Sequence, residues 1–211
     1  MINLEGIVPF AEGGNRKCFI HPNKPDRCLK IVHPGLIQII TNNRPWYKKL
    51  RSKQSFDDNL REKEAYNQKS LRRNDQIAYK HLAKWYGMVE TSIGMASETE
   101  LIKNNDEIAQ TLEDYLFTNG LTDEIKHSIE EFQDWLRVNL ILTKNLIPHN
   151  IVIKIEGDKM ILKIVDGLGS KAFFPLPSFS DFFAKRYVER RIQLMWSRIN
   201  WDLSGRKDNW K

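Results

Sequence analysis

Polar side chains flank both ends of one apolar hairpin in the second half of the chain. Asn145 and Asn150 precede the hairpin within Thr143–Asn150, and Asp166 follows it within Ile164–Gly169. Because the two strands of a hairpin begin and end at the same edge, these three side chains should lie close together. An amide oxygen and a carboxylate are both suitable ligands for Mg²⁺. The pattern therefore predicts that Asn150 and Asp166 bind a metal that holds phosphates.

Asn145 stands where such a site needs a catalytic base. Kinase catalytic loops follow the pattern H-R-D-L-x-x-x-N, in which the base lies five residues before the metal-binding asparagine. Asn145 has this spacing to Asn150, and Leu146 follows it directly. An asparagine orients a hydroxyl by accepting its hydrogen bond, but it does not take up the proton. We predict a catalytic position at Asn145 with altered chemistry: a slow enzyme, a nucleotide-binding switch, or an enzyme whose base comes from another residue.

Lys30 is the candidate cation for the nucleotide phosphates. It lies inside the apolar strand Cys28–Val32, where an inward lysine would need an anionic partner. Strand alternation equally allows Lys30 to face water. In kinases a glutamate on the following helix holds this lysine. Glu62 is the preferred partner, since Tyr66 would pack one turn later, and Glu64 is the alternative.

Backbone groups provide the remaining nucleotide-binding candidates. A turn at Gly13 and Gly14 lets backbone amides approach a phosphate, because no Cβ intervenes, although many such turns bind nothing. Farther along, Glu100 and Ile102 lie in the expected connection between two lobes. Their backbone groups are predicted to hydrogen-bond an adenine.

The surrounding elements alternate between strand and helix periodicity. The predicted strands cover residues 4–10, 17–20, 27–32, 85–91, 93–102, 151–155 and 160–165, and the predicted helices cover residues 57–73, 106–119, 122–142 and 179–200. Together they predict an α+β, protein-kinase-like, two-lobed fold. Residues 1–102 would form a small lobe with an antiparallel sheet. Residues 103–211 would form a reduced, mainly helical lobe with the hairpin at the active cleft, in a single kinase-like domain.

Composition indicates a globular chain with an anionic partner. The 211 residues are 41% hydrophobic and 28% charged, with a net charge of +6. The basic residues concentrate in residues 44–80 and in the C-terminal helix, where solvated helix faces are the simpler explanation. A nucleotide and a peripheral contact with an anionic membrane both suit this charge, whereas no nucleic-acid-binding module is recognisable. Two cysteines and the lack of a signal-peptide pattern predict a cytoplasmic location.

Short segments along nearly the whole chain resemble the YrbL family, bacterial proteins of kinase-like fold named for a member of the PhoP regulatory network. The matching segments are Arg16-Lys17-Cys18, His21-Pro22, Cys28–Val32, Arg61-Glu62, Tyr86–Thr91, Pro148–Ile151 and Asp166–Gly169. The family is similar to lipopolysaccharide core heptose kinases and, more distantly, to protein kinases. The resemblance implies a small two-lobed kinase with a reduced C-terminal lobe, in which the base position is commonly not aspartate.

Three functions remain open at this point. The first is an ATP- and Mg²⁺-dependent phosphotransferase with an unidentified hydroxyl acceptor, which lacks the usual base because Asn145 replaces it. The second is a pseudokinase, a nucleotide-binding regulatory module that docks on a protein partner in bacterial signalling. The third, weaker hypothesis is a basic protein associated with a membrane or a nucleic acid, whose binding would fall steeply with salt.

Overall fold

The computed structural model describes residues 1–36, 57–72, 79–170, 176–207 and 210. Much of the predicted basic region, residues 44–56 and 73–78, lies outside these ranges. The chain forms two compact units. The first consists of Met1–Tyr66 with Lys84–Leu101, and the second of Asn67–Ala83 with Ile102–Lys211. Residues 67–83 therefore group with the second unit, although the predicted division assigned them to the first lobe.

The first unit is built on a five-stranded antiparallel sheet of order β1-β2-β3-β5-β4. One helix, α1, contacts β3, β4 and β5. The elements are β1 (Ala11–Glu12), β2 (Arg16–His21), β3 (Lys24–Val32), α1 (Asp58–Tyr66), β4 (Trp85–Thr91) and β5 (Gly94–Glu100). The two strands predicted around the turn at residues 92–94 are confirmed.

Alternation along β2 and β3 divides the sheet into an apolar and a polar face. Phe19, Leu29 and Ile31 point to one face and form a buried core with Leu4 and Ala96. The intervening residues of β3 therefore point to the opposite face. Lys30 is one of them, and it lies opposite Cys18 on β2.

Two predicted elements of this region are wrong. Residues 4–10 do not form a strand; Leu4 instead contributes to the core from an irregular segment. Two backbone features explain this: Gly6 adopts a positive φ of 75°, and Pro9 has no N–H to donate to a ladder. The predicted helix over residues 57–73 is also interrupted, because α1 ends at Tyr66 and a separate short helix, α2 (Lys69–Arg72), follows.

The second unit combines helices with two small hairpins. Its further elements are β6 (Lys103–Asn104), β7 (Glu107–Ile108), α3 (Leu112–Asn119), α4 (Asp123–Asn139), a 3₁₀ turn (Pro148–Asn150), β8 (Ile151–Glu156), β9 (Lys159–Ile164), α5 (Leu176–Phe179) and α6 (Asp181–Leu203). The predicted hairpin is confirmed, with Ile151 opposite Ile164. A parallel bridge adds Leu82 to the β9 edge at Ile164.

Helix boundaries in this unit follow their capping residues. The predicted start of a helix at residue 106 is wrong, because β6 and β7 occupy that segment and Thr111 caps α3 by accepting from the amide of Asp114. Thr122 caps α4 in the same way, through the amide of Ile125. The last helix begins at Asp181, after the separate α5, and not at the predicted residue 179.

Apolar side chains at helical spacing are buried along one side of α4. Its Ile125, Ile129, Phe132 and Leu136 are each at most 1% exposed. Within the described ranges, no helix has the length and apolar character needed to cross a bilayer.

Candidate functional site

Lys30 and Glu62 form a buried ion pair within the first unit. Lys30 Nζ lies 2.6 Å from Glu62 Oε1, and both side chains are 6% exposed. Glu64 on the same helix is exposed. Lys30 therefore faces away from water, and its partner is Glu62 rather than Glu64. Both alternatives that the sequence left open are decided in this way. The role of Lys30 and Glu62 toward a nucleotide stays a prediction.

Helix position explains why Glu62 reaches the sheet. Asn59 precedes Glu62 by three residues, so both project from the same side of α1. Asn59 is 1% exposed and donates from Nδ2 to the carbonyl of Lys30 over 2.9 Å. Tyr66, expected to pack beneath Glu62, stacks on Trp85 with ring centroids 5.9 Å apart. This hydrogen bond attaches α1 to β3 at Lys30 itself.

Arg16 is a second cation at this glutamate, and no prediction from the sequence assigned it to the site. Arg16 Nη1 lies 2.8 Å from Glu62 Oε2 and 3.2 Å from Asn59 Oδ1. Glu62 therefore binds one cation through each carboxylate oxygen. Alternation was the signal that could have identified Arg16, because it lies two residues before Cys18 and so shares the sheet face of Lys30.

The two cysteines share that face as reduced thiols. Cys18 lies directly opposite Lys30, and Cys28 lies two residues before it on β3. Neither forms a disulfide. A hydrogen bond to Cys18, together with burial, raises the pKa of the Cys28 thiol well above its usual range. Cys28 is therefore a protonated, uncharged neighbour of the Lys30–Glu62 pair at neutral pH.

Gly13 and Gly14 form the turn between β1 and β2, as expected. The Gly13 amide donates to the carbonyl of Arg16 over 2.9 Å. The Gly13 carbonyl lies 2.8 Å from His33 Nε2. These bonds anchor the base of the turn at Gly13, and an added Cβ at Gly14 would meet nothing within 4 Å.

Glu100 and Ile102, predicted to contact an adenine, already use backbone groups in the fold. The Glu100 amide donates to the carbonyl of Lys84 over 2.8 Å. In the second unit, the carbonyl of Ile102 accepts from the amide of Ala109 over 2.9 Å. A base bound here would have to use other backbone groups or the second lone pair of the Ile102 carbonyl.

Asn150 and Asn145 are joined within the second unit. Asn150 Nδ2 donates to the backbone carbonyl of Asn145 over 3.0 Å. A carbonyl only accepts hydrogen bonds, so this contact identifies the amide nitrogen and directs Asn150 Oδ1 the other way. Asn150 is buried at 8% exposure, and the 3₁₀ turn that carries it begins with Pro148. The fold thus presents an amide oxygen in a fixed direction, as a metal ligand requires.

Asp166 lies between two backbone bonds to the same loop. Before it, the Val165 amide donates to the carbonyl of Asn150 over 3.0 Å. After it, the Gly167 carbonyl accepts from the amide of Asn145 over 3.1 Å. The Asp166 carboxylate also accepts from the Gly167 amide. The structure therefore brings Asn145, Asn150 and Asp166 together, as their spacing around the hairpin predicted.

Gly167 is required by this close approach. Its φ is +83°, and an added Cβ would lie 2.4 Å from the Asn145 carbonyl oxygen and 3.0 Å from Asn150 Nδ2. The first distance is well below any normal contact, and it involves backbone, which does not move aside easily. The glycine of Asp166-Gly167 therefore allows the two polar segments to meet.

These residues fit a divalent cation only together with a ligand. In the part of the chain that the structure describes, no group of three or more His, Cys, Asp or Glu side chains is placed to hold a metal. Asn150 and Asp166 would supply two oxygen ligands, whereas Mg²⁺ prefers six. Phosphate and water oxygens would have to complete the shell, as is usual for Mg²⁺ at nucleotide sites.

The loop around Asn145, Thr143–Asn150, contains no carboxylate side chain. His149 is the nearest histidine along the loop, and it is exposed, with Nδ1 3.9 Å from Glu113 Oε1. The Asn145 backbone is fixed on both sides, since its amide and carbonyl both form hydrogen bonds. The backbone at Asn145 is therefore held in place, while its side chain carries no charge.

Solved structures of protein kinases share this fold. The crystal structure of Rad53 1–466 in complex with AMP-PNP aligns with 95% of this chain and 48% of that chain, at a TM-score of 0.53 and 17% identity. The Mycobacterium tuberculosis PknI kinase domain aligns with 92% of this chain and 72% of that chain, at a TM-score of 0.51 and 12% identity. The chain thus spans about half the length of the Rad53 chain. The predicted kinase-like, two-lobed α+β fold is confirmed.

Sequence relatives give a more specific assignment. The YrbL proteins of Escherichia coli strain K12 and Shigella flexneri are each 24% identical over 205 residues, covering 94% of this chain and 86% of the relative. The family model described as PhoP regulatory network protein YrbL matches residues 2–200. The chain therefore belongs to the YrbL family, as its short segments predicted.

Proposed function

We propose that this protein binds ATP with Mg²⁺ and transfers the terminal phosphoryl group slowly to a hydroxyl acceptor. The observation that carries the proposal is the buried Lys30–Glu62 ion pair. Removing two charges from water is costly, and apolar residues of similar size would stabilise a fold equally well. A buried pair on the polar face of the sheet therefore favours a functional role, and kinases use such a lysine to bind phosphates.

Each residue has a distinct role in this proposal. Lys30 binds the α- and β-phosphates, and Glu62 positions its ammonium group. Asn150 and Asp166 hold the cation, which neutralises charge on the phosphates when bound. The backbone at Gly13 and Gly14 lies against the phosphates. The AMP-PNP complex of the structurally similar Rad53 supports the assignment of ATP as the nucleotide.

Asn145 sets the expected rate. Its amide oxygen accepts a hydrogen bond from the acceptor hydroxyl and orients it, while the proton leaves to solvent or to the transferred phosphoryl group. General-base catalysis typically contributes about 10²–10⁴-fold. A protein with this substitution therefore keeps positioning and charge stabilisation but loses a factor of that order.

The second candidate is a pseudokinase that serves as a regulatory module in bacterial signalling. The neutral Asn145 favours it, because nucleotide binding would then persist without turnover. The family's association with the PhoP network is consistent with a protein partner, and the chemical identity of the phosphate acceptor is not needed for this function.

Single-turnover assays with radiolabelled ATP at high enzyme concentration separate the two candidates. The phosphotransferase predicts Mg²⁺-dependent release of the terminal phosphate to water or to added hydroxyl acceptors, abolished in Lys30→Ala and Asp166→Ala. Lys159→Ala, at the exposed start of β9, is the matched control and should keep the wild-type rate. ATP binding without any transfer would support the pseudokinase and contradict the phosphotransferase.

A further inference from the structure

The N-terminal half of α6 and the end of α5 present an exposed aromatic and basic face. We propose that this face, defined by Phe179, Phe182, Phe183, Arg186 and Arg190, docks on the surface of an anionic lipid bilayer. The inference uses only the second unit. It does not depend on nucleotide binding, so it can fail or succeed independently of the proposed function.

The apolar part of this face is large and open to solvent. Phe179 is 80% exposed, Phe182 is 59% exposed and Phe183 is 41% exposed. Burial of Ala184 and Val188 marks the opposite, core-facing side of α6. Exposed apolar clusters of this kind mark interaction surfaces, since water contact with several phenyl rings is unfavourable. The face therefore requires a partner with an apolar component.

The basic part surrounds the rings. Lys185, Arg186 and Arg190 are exposed, and the Arg186 guanidinium lies 4.8 Å from the Phe182 ring centroid. Among the described residues, none of these three cations forms an ion pair. The partner must therefore also carry negative charge.

Nearby acidic side chains are already engaged. Asp181 Oδ1 lies 4.0 Å from Lys69 Nζ. Glu189 Oε2 lies 3.1 Å from Arg137 Nε, and that pairing lowers the pKa of the Glu189 carboxyl. These acids balance Lys69 and Arg137 rather than the cations of the aromatic face. The local field at the face is accordingly positive.

A groove adjoins the face between the end of α4 and α6. Its volume is about 410 Å³, and its lining residues are Arg137, Leu140, Lys185, Arg186, Val188 and Glu189. Leu140 contributes a partly exposed apolar side chain to this groove, and Lys185 and Arg186 contribute exposed cations. This combination suits a lipid, because the apolar surface accepts acyl carbons while the cations meet a phosphate headgroup.

A bilayer surface matches these features together. Interfacial helices combine Phe or Leu on one side with Lys and Arg that meet anionic headgroups. With 23 residues but buried side chains along its core side, α6 would lie along the interface rather than cross it. An acidic protein partner or a second copy of the chain would satisfy only part of this chemistry, and the second copy is an outcome of the test below.

Vesicle flotation tests the proposal directly. Full-length protein is mixed with vesicles of phosphatidylcholine, or of equimolar phosphatidylcholine and phosphatidylglycerol, at low and at high salt. We expect binding to the anionic vesicles alone, and weaker binding at high salt. Arg186→Gln and Arg190→Gln should each weaken binding roughly fivefold, the contribution expected of one cation near an anionic surface.

Apolar insertion is tested with Phe179→Ser and Phe182→Ser, each expected to weaken binding by roughly tenfold or more. Phe117→Ser on α3 is the matched control, because Phe117 is 89% exposed but lies outside the face, and Lys159→Gln is the matched charge control. Equal binding of Phe182→Ser and wild type, or equal binding to neutral and anionic vesicles, would overturn the proposal. Self-association in ultracentrifugation that Phe182→Ser abolishes, without vesicle binding, would also overturn it in favour of a second copy.

Discussion

Asn150 donates a hydrogen bond from Nδ2 to the backbone carbonyl of Asn145 over 3.0 Å. This single contact joins the position of the expected base to the position of the expected metal ligand. This contact does not depend on the side chain at position 145, because the bond is made to the backbone of Asn145. The loop geometry is therefore compatible with several residues at position 145.

Gly167→Ala should disrupt this loop. The new methyl group would lie 2.4 Å from the Asn145 carbonyl oxygen, at a φ of +83°. We expect a loss of at least about 2 kcal/mol in the free energy of unfolding, from backbone strain and the forced displacement of the loop. Urea unfolding of the variant and the wild type measures this loss.

Gly157→Ala is the matched control for that substitution. Gly157 also has a positive φ, +60°, but an added Cβ there meets nothing within 4 Å. Gly157→Ala should lower the free energy of unfolding only by the conformational strain of the positive φ, about 1 kcal/mol. Equal losses for the two variants would contradict the role assigned to the Gly167 contact.

Glu62→Gln should destabilise the first unit, whereas Glu64→Gln should not. Glu62 binds Lys30 through one carboxylate oxygen and Arg16 through the other, in a buried setting. Removing one partner of a buried ion pair typically costs about 3 kcal/mol. Glu64 is exposed, so Glu64→Gln should change the free energy of unfolding by no more than about 0.5 kcal/mol. Chemical unfolding of both variants tests the assignment, and a larger effect at Glu64 would contradict it.

His81 should make the protein less stable in acid. Burial lowers the pKa of its imidazole to about 4. Its Nδ1 lies 2.8 Å from the Leu162 carbonyl oxygen, while within the described residues the buried Nε2 has no hydrogen-bond partner. The imidazole is neutral in the folded state but binds a proton in the unfolded chain below about pH 6.5. Stability is therefore full above that pH and declines as the pH falls toward about 4.

The expected loss between about pH 7.5 and about pH 5 is about 2 kcal/mol from this group. His81→Asn keeps a donor for the Leu162 carbonyl without a titrating ring, so its stability should change less over the same range. His127→Asn is the control, because it removes a histidine that is 74% exposed and leaves the buried site of His81 unchanged. A pH profile unaffected by His81→Asn would show that the acid sensitivity arises elsewhere.

Asn145→Asp should raise the rate of any phosphotransfer, because a carboxylate restores a proton acceptor at the base position. We expect an increase toward the roughly 10²-fold lower bound of general-base catalysis. Asn145→Ala, which removes the amide without adding a base, should give no increase. An unchanged rate in Asn145→Asp would mean that the base comes from another residue or that chemistry does not limit turnover.

Local patterns predicted much of this structure. The hairpin at residues 151–164 follows from alternation around a Gly-containing turn, and the apolar stripe of α4 follows from helical spacing. The cluster of Asn145, Asn150 and Asp166 could be predicted because a hairpin returns the chain to one edge. The preference for Glu62 over Glu64 agrees with the pairing observed, although Tyr66, which motivated it, stacks elsewhere.

Long-range contacts account for what was missed. Arg16 and Asn59 meet across 43 positions of sequence, and no periodicity links β2 to α1. Other errors concern signals that were present: Pro9 argues against a strand over residues 4–10, and Thr111 is a capping residue that marks the start of α3. A tertiary contact, and not helix propensity, also divides the helix predicted over residues 57–73. Gln68 lies between α1 and α2, and its side chain accepts a hydrogen bond from the Leu142 amide.

The central claim is that Asn150 and Asp166 hold a cation for a bound nucleotide. Calorimetric titration of the full-length protein with ATP, with and without Mg²⁺, tests it most directly. We predict that Mg²⁺ strengthens ATP binding to the wild type and to Lys159→Ala, but not to Asp166→Asn. ATP affinity that is the same with and without Mg²⁺, or a Mg²⁺ effect retained in Asp166→Asn, would contradict the claim.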